Sequence, residues 1–215
     1  MEAPTMSKPK QVHFMLDLET LDTAPTAHVL SAALVLFDPI TGEVLPPPQY
    51  KPEYSFLFNS VSEIYKTKKS IVFGLEDQNK STVSLRTLSW WNQQNKAYFD
   101  TLIANDTKNW SLMDFLVDFS RTTNRLINID EFEVHVWCTG TFDVDILKNA
   151  TERAGLEWNL PYWATKDVRV ARQLAETFDL LDEELEVTHD AYDDCIRQIK
   201  YVSAVYGKLN NARSV

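Results

Sequence analysis

The pattern of hydrophobic positions predicts buried strands near the start of the chain. Apolar residues alternate with other types over residues 12–20, and residues 29–37 form a continuous apolar run that ends at an Asp-Pro turn. Such runs are typical of strands in a sheet interior. Alternation at residues 54–58 and 133–138 predicts a third and a fourth strand. Because short turns separate the first three strands, we expect an antiparallel arrangement with the first strand central.

Helical periodicity follows in the second part of the chain. Ser111 and Asp114 have the spacing of a capping box, and Gly155 is placed to end a helix. Strands that are followed by alternating helices and strands favour a mixed α/β sheet layered with helices. The predicted helices cover residues 85–94, 111–126, 143–154, 167–178 and about 188 onwards. Residues 161–164 are predicted to be extended, and 60–86 is the segment without a clear pattern.

The first strand carries two acids that an apolar strand does not need. Side chains two residues apart lie on the same face of a strand, so Asp17 and Glu19 project side by side. Their neighbours on the other face are Val12, Phe14, Leu16 and Leu18. Two adjacent carboxylates repel each other, and their burial is costly without a cation. The strand is therefore a candidate metal site.

A further acid begins a predicted helix. Asp143 follows the turn at Gly140 and falls in the first helical turn, where the helix dipole favours a carboxylate. Taken alone, Asp143 is as well explained as a helix cap. Asp145, two residues later, is predicted to be a solvated acid.

The last predicted helix supplies another acid and a histidine. Asp194 lies three residues after Ala191 and shares the apolar face of that helix. Asp190 and Asp193 instead point to solvent or towards the helix dipole. His189 stands just before the helix, close enough to approach the same site. A neutral imidazole there is able to take a proton from an attacking water.

Composition narrows the function classes. The chain of 215 residues has a net charge of −10, which argues against a protein that coats nucleic acid by bulk electrostatics. An enzyme that holds a few nucleotides beside divalent cations remains compatible with it. Carboxylate ligands suit Mg²⁺ or Mn²⁺, and several of them can hold two ions roughly 3.5–4 Å apart. The absence of a long apolar run predicts no membrane span, and two distant cysteines predict reduced thiols in the cytoplasm, or in the host cytoplasm if the chain is viral.

Three motifs in this order resemble those of the DEDDh branch of the DnaQ-like 3′→5′ exonucleases. They are Asp17-x-Glu19-Thr20, Gly140-x-Phe142-Asp143-x-x-Ile146-Leu147 and His189-x-Ala191-x-x-Asp194. Thr87-Leu88-Ser89-Trp90-Trp91 and Asp167-Val168-Arg169 further resemble the subgroup of phage exodeoxyribonucleases and mycobacterial-type exoribonucleases. Two positions depart from the pattern, because Asp22 replaces a common Gly and Cys195 replaces a usual Ala.

The resemblance implies a ribonuclease H-like fold, with a mixed five-stranded sheet flanked by helices. It also implies hydrolysis at a 3′ end that releases nucleoside 5′-monophosphates. The implied metal ligands are Asp17, Glu19, Asp143 and Asp194, with two Mg²⁺ or Mn²⁺ ions per site and His189 as general base. We expect a flexible lead-in at residues 1–10, an exonuclease domain at 11–207 and a polar tail at 208–215.

The substrate contacts are predicted from chemistry alone. Aromatic rings stack on bases, although one of two adjacent helical tryptophans is expected in the core. Arg169 can neutralise a phosphate or form a surface salt bridge. Leu21 is a candidate apolar wedge, while Thr20 and His28 can bond the terminal sugar or a phosphate. The predicted set is Thr20, Leu21, His28, Trp90, Trp91 and Arg169.

Several functions remain open from the sequence. The first is an exonuclease on single-stranded ends, with DNA preferred because the Trp-Trp segment looks most like the phage enzymes. An exoribonuclease would use the same site, since sugar discrimination needs contacts to the 2′-OH. A non-catalytic nucleic-acid-binding module and a small-molecule phosphatase are the more distant alternatives. Assembly into a homo-oligomer is compatible with all of them.

Overall fold

The computed structural model describes residues 10–44, 69–74, 78, 80–94, 96–104, 110–128, 132–181 and 185–213. The predicted strand at 54–58 and the lead-in before Lys10 lie outside these residues. Cys138 and Cys195 are buried free thiols. Within the described ranges, no helix is both long and apolar enough to cross a bilayer.

A mixed five-stranded sheet forms the centre of the structure, as predicted. Its strands are β1 (Lys10–Thr20), β2 (Val29–Phe37), β3 (Ile71–Val72), β4 (Phe132–Cys138) and β5 (Thr165–Asp167). The spatial order is β3-β2-β1-β4-β5, so the first strand is central. β1 runs antiparallel to β2 and parallel to β4, while β5 adds to β4 in parallel. This is the sheet of a ribonuclease H-like α/β fold.

Six described helices flank the sheet. They are α1 (Leu85–Gln94), α2 (Lys96–Ile103), α3 (Leu112–Ile127), α4 (Phe142–Arg153), α5 (Val168–Thr177) and α6 (Ala191–Arg213). The cap of α3 is the predicted one, because the Ser111 hydroxyl accepts a hydrogen bond from the Asp114 backbone N–H at 3.0 Å. α6 continues through the polar segment that begins at residue 208 as far as Arg213, where its side chains are exposed.

One local prediction is wrong, and two short elements were not predicted. Tyr162–Ala164 forms a 3₁₀ turn rather than an extended segment. Thr165–Asp167 then joins the sheet as a short polar strand, which carries no hydrophobic alternation. α2 was not predicted from the sequence. Its buried residues are Phe99 and Leu102, too few for a helical stripe to be recognised.

The alternation along β1 separates two hydrophobic layers. Phe14 and Leu16 pack on the side of α3 and α4, where Phe115 is also buried. Met15 faces the other side and packs with Ile199 of α6. Because both faces of β1 are covered, its register is strongly fixed.

A third cluster attaches the α1–α2 pair to the end of β1. It consists of Leu21, Leu30, Trp91, Phe99 and Leu102. Trp91 stacks on Phe99 with ring centroids 5.4 Å apart, and its indole N–H donates to the Thr20 carbonyl at 3.0 Å. The α1–α2 pair is thereby fixed beside the strand end that carries the two acids.

At the other end of β1, His13 is buried in its neutral form. The indole N–H of Trp137 donates to His13 Nδ1 at 3.0 Å, and the ring of His135 lies 4.6 Å away. Burial, followed by repulsion from His135, lowers the pKa of His13 to about 3. Protonation in the folded state would therefore require the loss of this packing.

This pKa predicts that acid destabilises the fold through His13. In the unfolded chain His13 titrates near pH 6.5, so its contribution is complete above that pH and is lost as the pH falls towards 3. The loss approaches about 1.4 kcal/mol per pH unit. His13→Gln keeps an acceptor for Trp137 and removes the titration. Urea unfolding between pH 7.5 and 5, in EDTA, is expected to give a flatter pH dependence for this variant. Parallel curves would contradict the assignment.

Candidate active site

The site lies where β1 extends beyond its parallel partner. The pairing of β1 with β4 ends at Met15 opposite Trp137, whereas β1 itself continues to Thr20. On the edge that β4 leaves free, the Leu18 backbone N–H donates to Asp143 Oδ1 at 3.0 Å. Asp143 is thereby held next to the strand segment that carries Asp17 and Glu19.

Asp143 is delivered by the first turn of α4 and is 2 % exposed. Its Oδ2 has no hydrogen-bond partner among the described residues. Burial raises the pKa of Asp143 to about 7, although backbone hydrogen bonds such as that from Leu18 oppose the shift. A buried carboxylate oxygen without a partner is what a cation would satisfy.

Asp17 and Glu19 share one face of β1, as predicted. Gln198 of α6 donates its amide N–H to Asp17 Oδ1 at 2.7 Å. Burial, and then the charges of Asp143 and Asp194, raise the pKa of Asp17 well above its usual range. Burial, and then Asp17, raise the pKa of Glu19 to about 10. Without a bound cation, these acids favour the protonated form, because their negative charges would be crowded together away from solvent.

Asp194 connects the first turn of α6 with the loop before it. Its Oδ1 accepts from Arg197 Nε at 3.0 Å and from the Thr188 backbone N–H at 3.3 Å. Its Oδ2 accepts from the His189 backbone N–H at 3.1 Å. The buried carboxylate of Asp194 therefore fixes the loop that carries His189.

His189 stands at the opening of this site. It adopts a left-handed backbone conformation with φ 59°, and its ring lies edge-on to Trp90 with centroids 4.7 Å apart. Burial lowers the pKa of His189, although the charge of Asp194 raises it. Donor atoms of Glu19, His189 and Asp194 lie within 4.8 Å of one another. The imidazole is therefore placed either to accept a proton or to contribute to a metal site.

The four acids fit a hard divalent cation. They present carboxylate oxygens of the kind that Mg²⁺ and Mn²⁺ prefer, and their mutual repulsion is relieved by positive charge. The partnerless Oδ2 of Asp143 points to the same requirement. Asp145 is exposed, as predicted, and accepts a hydrogen bond from the Thr141 hydroxyl at 2.6 Å.

A cavity of about 470 Å³ opens beside the acids. A second cavity of about 330 Å³ shares Thr23 and Phe142 with it. Glu19 lies in the wall of the first cavity, and Arg169 lies in the wall of the second. The walls of the first cavity include Glu19, Thr20, Arg86, Trp90, Trp91 and Phe142.

The structure separates the two adjacent tryptophans, as expected. Trp91 is 1 % exposed and belongs to the cluster behind the cavity, whereas Trp90 is 37 % exposed. Both line the first cavity, but Trp90 has the more accessible ring. Thr20 also lines it, and its hydroxyl donates to the Asp22 carbonyl at 2.7 Å.

The other predicted substrate residues occupy different positions. Leu21 is buried in the cluster with Trp91, and His28 Nδ1 lies 2.8 Å from the Ser81 hydroxyl. Among the described residues that line the two cavities, neither is present. Arg169 lines the second cavity and also forms a 2.7 Å ion pair with Asp167, so both predicted roles are compatible with its position.

The two departures from the family pattern are accommodated locally. Asp22 is not among the residues with a left-handed backbone, so the conformational freedom of glycine is not needed there. Its Oδ1 accepts from the Thr23 N–H at 2.7 Å. Cys195 is fully buried, with Sγ 3.6 Å from the Met15 carbonyl. A small side chain at this position lets α6 pack closely on β1.

Four residues of the site were missed in the sequence. Arg197 and Gln198 lie three and four residues after Asp194, so helical spacing alone could have placed them beside it. Arg86 and Phe142, which line the cavity, were not singled out as contacts. Arg86 lies in a predicted helix and Phe142 within a quoted motif, but no spacing rule indicates that their side chains face a cavity.

Comparison with known proteins agrees with this geometry. The family model described as the 3′-5′ exoribonuclease Rv2179c-like domain matches residues 12–206. An exodeoxyribonuclease of Enterobacteria phage T4 is 25 % identical over 210 residues, which cover 86 % of this chain and 85 % of the phage protein. Enzymes of this kind generally depend on divalent metal ions. The chain therefore belongs to the family of Rv2179c-like 3′→5′ exoribonuclease domains and is a 3′→5′ exonuclease.

Proposed function

We propose that the protein removes nucleotides from single-stranded 3′ ends and releases nucleoside 5′-monophosphates. The observation that carries this proposal is that four acids and His189 lie close together, with Glu19 in the wall of a nucleotide-sized cavity. Asp17, Glu19, Asp143 and Asp194 would hold two Mg²⁺ or Mn²⁺ ions. The partnerless oxygen of Asp143 and the raised pKa values of three of these acids support a requirement for positive charge.

The protein groups have separate roles in this mechanism. Bound cations would supply electrostatic stabilisation of the attacking and leaving oxygens. His189, neutral because burial lowers its pKa, accepts a proton from the attacking water. Trp90 stacks on the terminal base, and Thr20 contacts the terminal nucleotide in the same cavity. Arg169 neutralises a phosphate in the second cavity.

We propose DNA as the preferred strand and RNA as the second candidate. The name of the phage relative specifies DNA, and residues 87–91 resemble that subgroup. The family description specifies RNA. The Thr20 hydroxyl already donates to the Asp22 carbonyl, so it is not available as a donor to a 2′-OH without breaking that bond.

Matched DNA and RNA oligonucleotides with a label at either end test this function. With Mg²⁺, we expect the 3′ label to leave first as a mononucleotide and the 5′ label to move down a ladder, faster for DNA. EDTA is expected to stop the reaction. Asp17→Asn keeps an acceptor for Gln198 but removes the charge. Because a cation contributes several kcal/mol and 1.4 kcal/mol is tenfold in rate, we expect a loss of at least about a thousandfold.

Asp193→Asn is the matched control for that substitution. Asp193 is exposed and directly precedes Asp194 in α6, so the same chemical change there is expected to leave the rate unchanged. Internal fragments, or early loss of the 5′ label, would contradict 3′→5′ polarity. Activity on nucleoside monophosphates without activity on oligomers would indicate a phosphatase.

A His189→Asn variant tests the proton acceptor. Asn tolerates the left-handed backbone at this position and is not a base at neutral pH. We expect kcat to fall by about 10²–10⁴-fold, the usual contribution of a general base. Mn²⁺ affinity, measured by calorimetry, is expected to stay within a few-fold of wild type. An equally large loss of Mn²⁺ affinity would make His189 a ligand of the metal instead.

A Trp90→Ala variant tests base stacking. Removal of one stacked ring costs about 1–3 kcal/mol per base, which corresponds to a rise in KM of about 5- to 150-fold for a short oligonucleotide. Trp163→Ala is the matched control, because Trp163 is 61 % exposed and lies before β5. Equal KM values for the two variants would exclude Trp90 as the stacking residue.

A further inference from the structure

The carboxylate of Asp190 is a junction between three parts of the chain. Its Oδ1 accepts from the Ser70 hydroxyl at 2.8 Å, and its Oδ2 accepts from the Tyr98 hydroxyl at 2.6 Å. Oδ1 also accepts from the backbone N–H groups of Tyr192 and Asp193, at 3.0 and 3.1 Å. Capping of α6 accounts for the two backbone donors. The two hydroxyl donors are Ser70, which directly precedes β3, and Tyr98 of α2. A cap of α6 does not need either of them.

Asp190 directly follows His189, whose left-handed backbone is unusual for a residue with a side chain. The N–H of His189 is held by Asp194 Oδ2. The next residue, Asp190, is held through its carboxylate by the hydroxyls of Ser70 and Tyr98. A strained residue persists only where its surroundings determine it on both sides, and these two carboxylates provide that support.

Tyr98 also connects His189 with the aromatic wall of the cavity. Its neighbour Phe99 stacks on Trp91, and Trp90 meets the ring of His189 at 4.7 Å. The hydroxyl of Tyr98 therefore joins the α1–α2 pair to the residue next to His189. Burial and the bond to Asp190 raise the pKa of Tyr98, so the hydroxyl remains a donor across the neutral range.

We propose that Tyr98 is a positioning residue, whose hydrogen bond to Asp190 sets the His189 ring relative to the cavity. The inference rests on the proposed function, because it takes His189 as the proton acceptor. Tyr98 itself does not touch the reacting atoms. Without its hydroxyl, the loop from Thr188 to Asp190 would keep its backbone bonds to Asp194 but lose its tie to α2. A misplacement of about 1 Å can cost about a hundredfold in rate.

Tyr98→Phe is the direct test, because it removes one oxygen and keeps the ring. We expect kcat to fall by at least about tenfold, with KM and Mn²⁺ affinity within about twofold of wild type. The urea midpoint is measured alongside and is expected to change little, since Tyr98 is only partly buried. Tyr162→Phe is the matched control: Tyr162 is 87 % exposed, and its kcat should equal that of wild type.

A double-mutant cycle with His189→Asn distinguishes positioning from general stability. If Tyr98 acts through His189, adding Tyr98→Phe to His189→Asn leaves kcat unchanged within about twofold. If Tyr98 has only a general structural role, the fold-losses in kcat of Tyr98→Phe and His189→Asn are expected to multiply in the double variant. The KM value and the Mn²⁺ affinity of the double variant are expected to match those of His189→Asn.

The outcomes distinguish a failure of the proposed function from a failure of the inference about Tyr98. A wild-type protein that degrades no oligonucleotide would overturn both the proposed function and this inference. An active wild type with a slow His189→Asn variant and a normal Tyr98→Phe variant would overturn the inference alone. Multiplying losses, or a loss of Mn²⁺ affinity in Tyr98→Phe, would also overturn it, because the hydroxyl would then act elsewhere.

Discussion

Crowding of four carboxyl groups at the end of β1 is the constraint on which the surrounding structure depends. Three of the four groups accept a hydrogen bond from a neighbouring residue. Asp143 is bonded by the Leu18 N–H, Asp17 by Gln198 and Asp194 by Arg197. These bonds fix the orientation of these three carboxylates without neutralising the whole group. An arrangement that is unfavourable when empty of positive charge gains stability when a cation binds, because binding to the folded state alone shifts the folding equilibrium.

The fold supplies the rigidity that this crowding requires. β1 is central and is covered on both faces, so its alternation fixes which side chains enter the core and which project at the site. The two other acids come from the first turns of α4 and α6, where the helix dipoles favour negative charge. One buried strand and two helix starts thus place acids from three distant segments in one corner.

The sequence was informative where one element determines the geometry. Alternation placed Asp17 with Glu19, and helical spacing placed Asp194 on a buried face. The sequence was uninformative where distant segments meet. Asp190 was assigned to solvent or the helix dipole, and it does cap α6. Its hydroxyl partners Ser70 and Tyr98 were not predicted, because they are 120 and 92 residues away. A polar strand of three residues such as β5 has no pattern to recognise, and burial of Leu21 depends on the α1–α2 pair that packs over it.

The attachment of that pair has a consequence for catalysis. The polar ties that join α1 and α2 to the rest of the site include one from Trp91 to the Thr20 carbonyl and one from Tyr98 to Asp190. One tie ends on the residue after Glu19 and the other on the residue after His189. The ring available for base stacking, Trp90, belongs to the same pair and touches His189. In the proposed mechanism, the base-stacking ring and the proton acceptor are therefore supported by the same pair of helices. A change in the packing of α1 on α2 would alter kcat as well as KM, which separate binding and catalytic elements would not do.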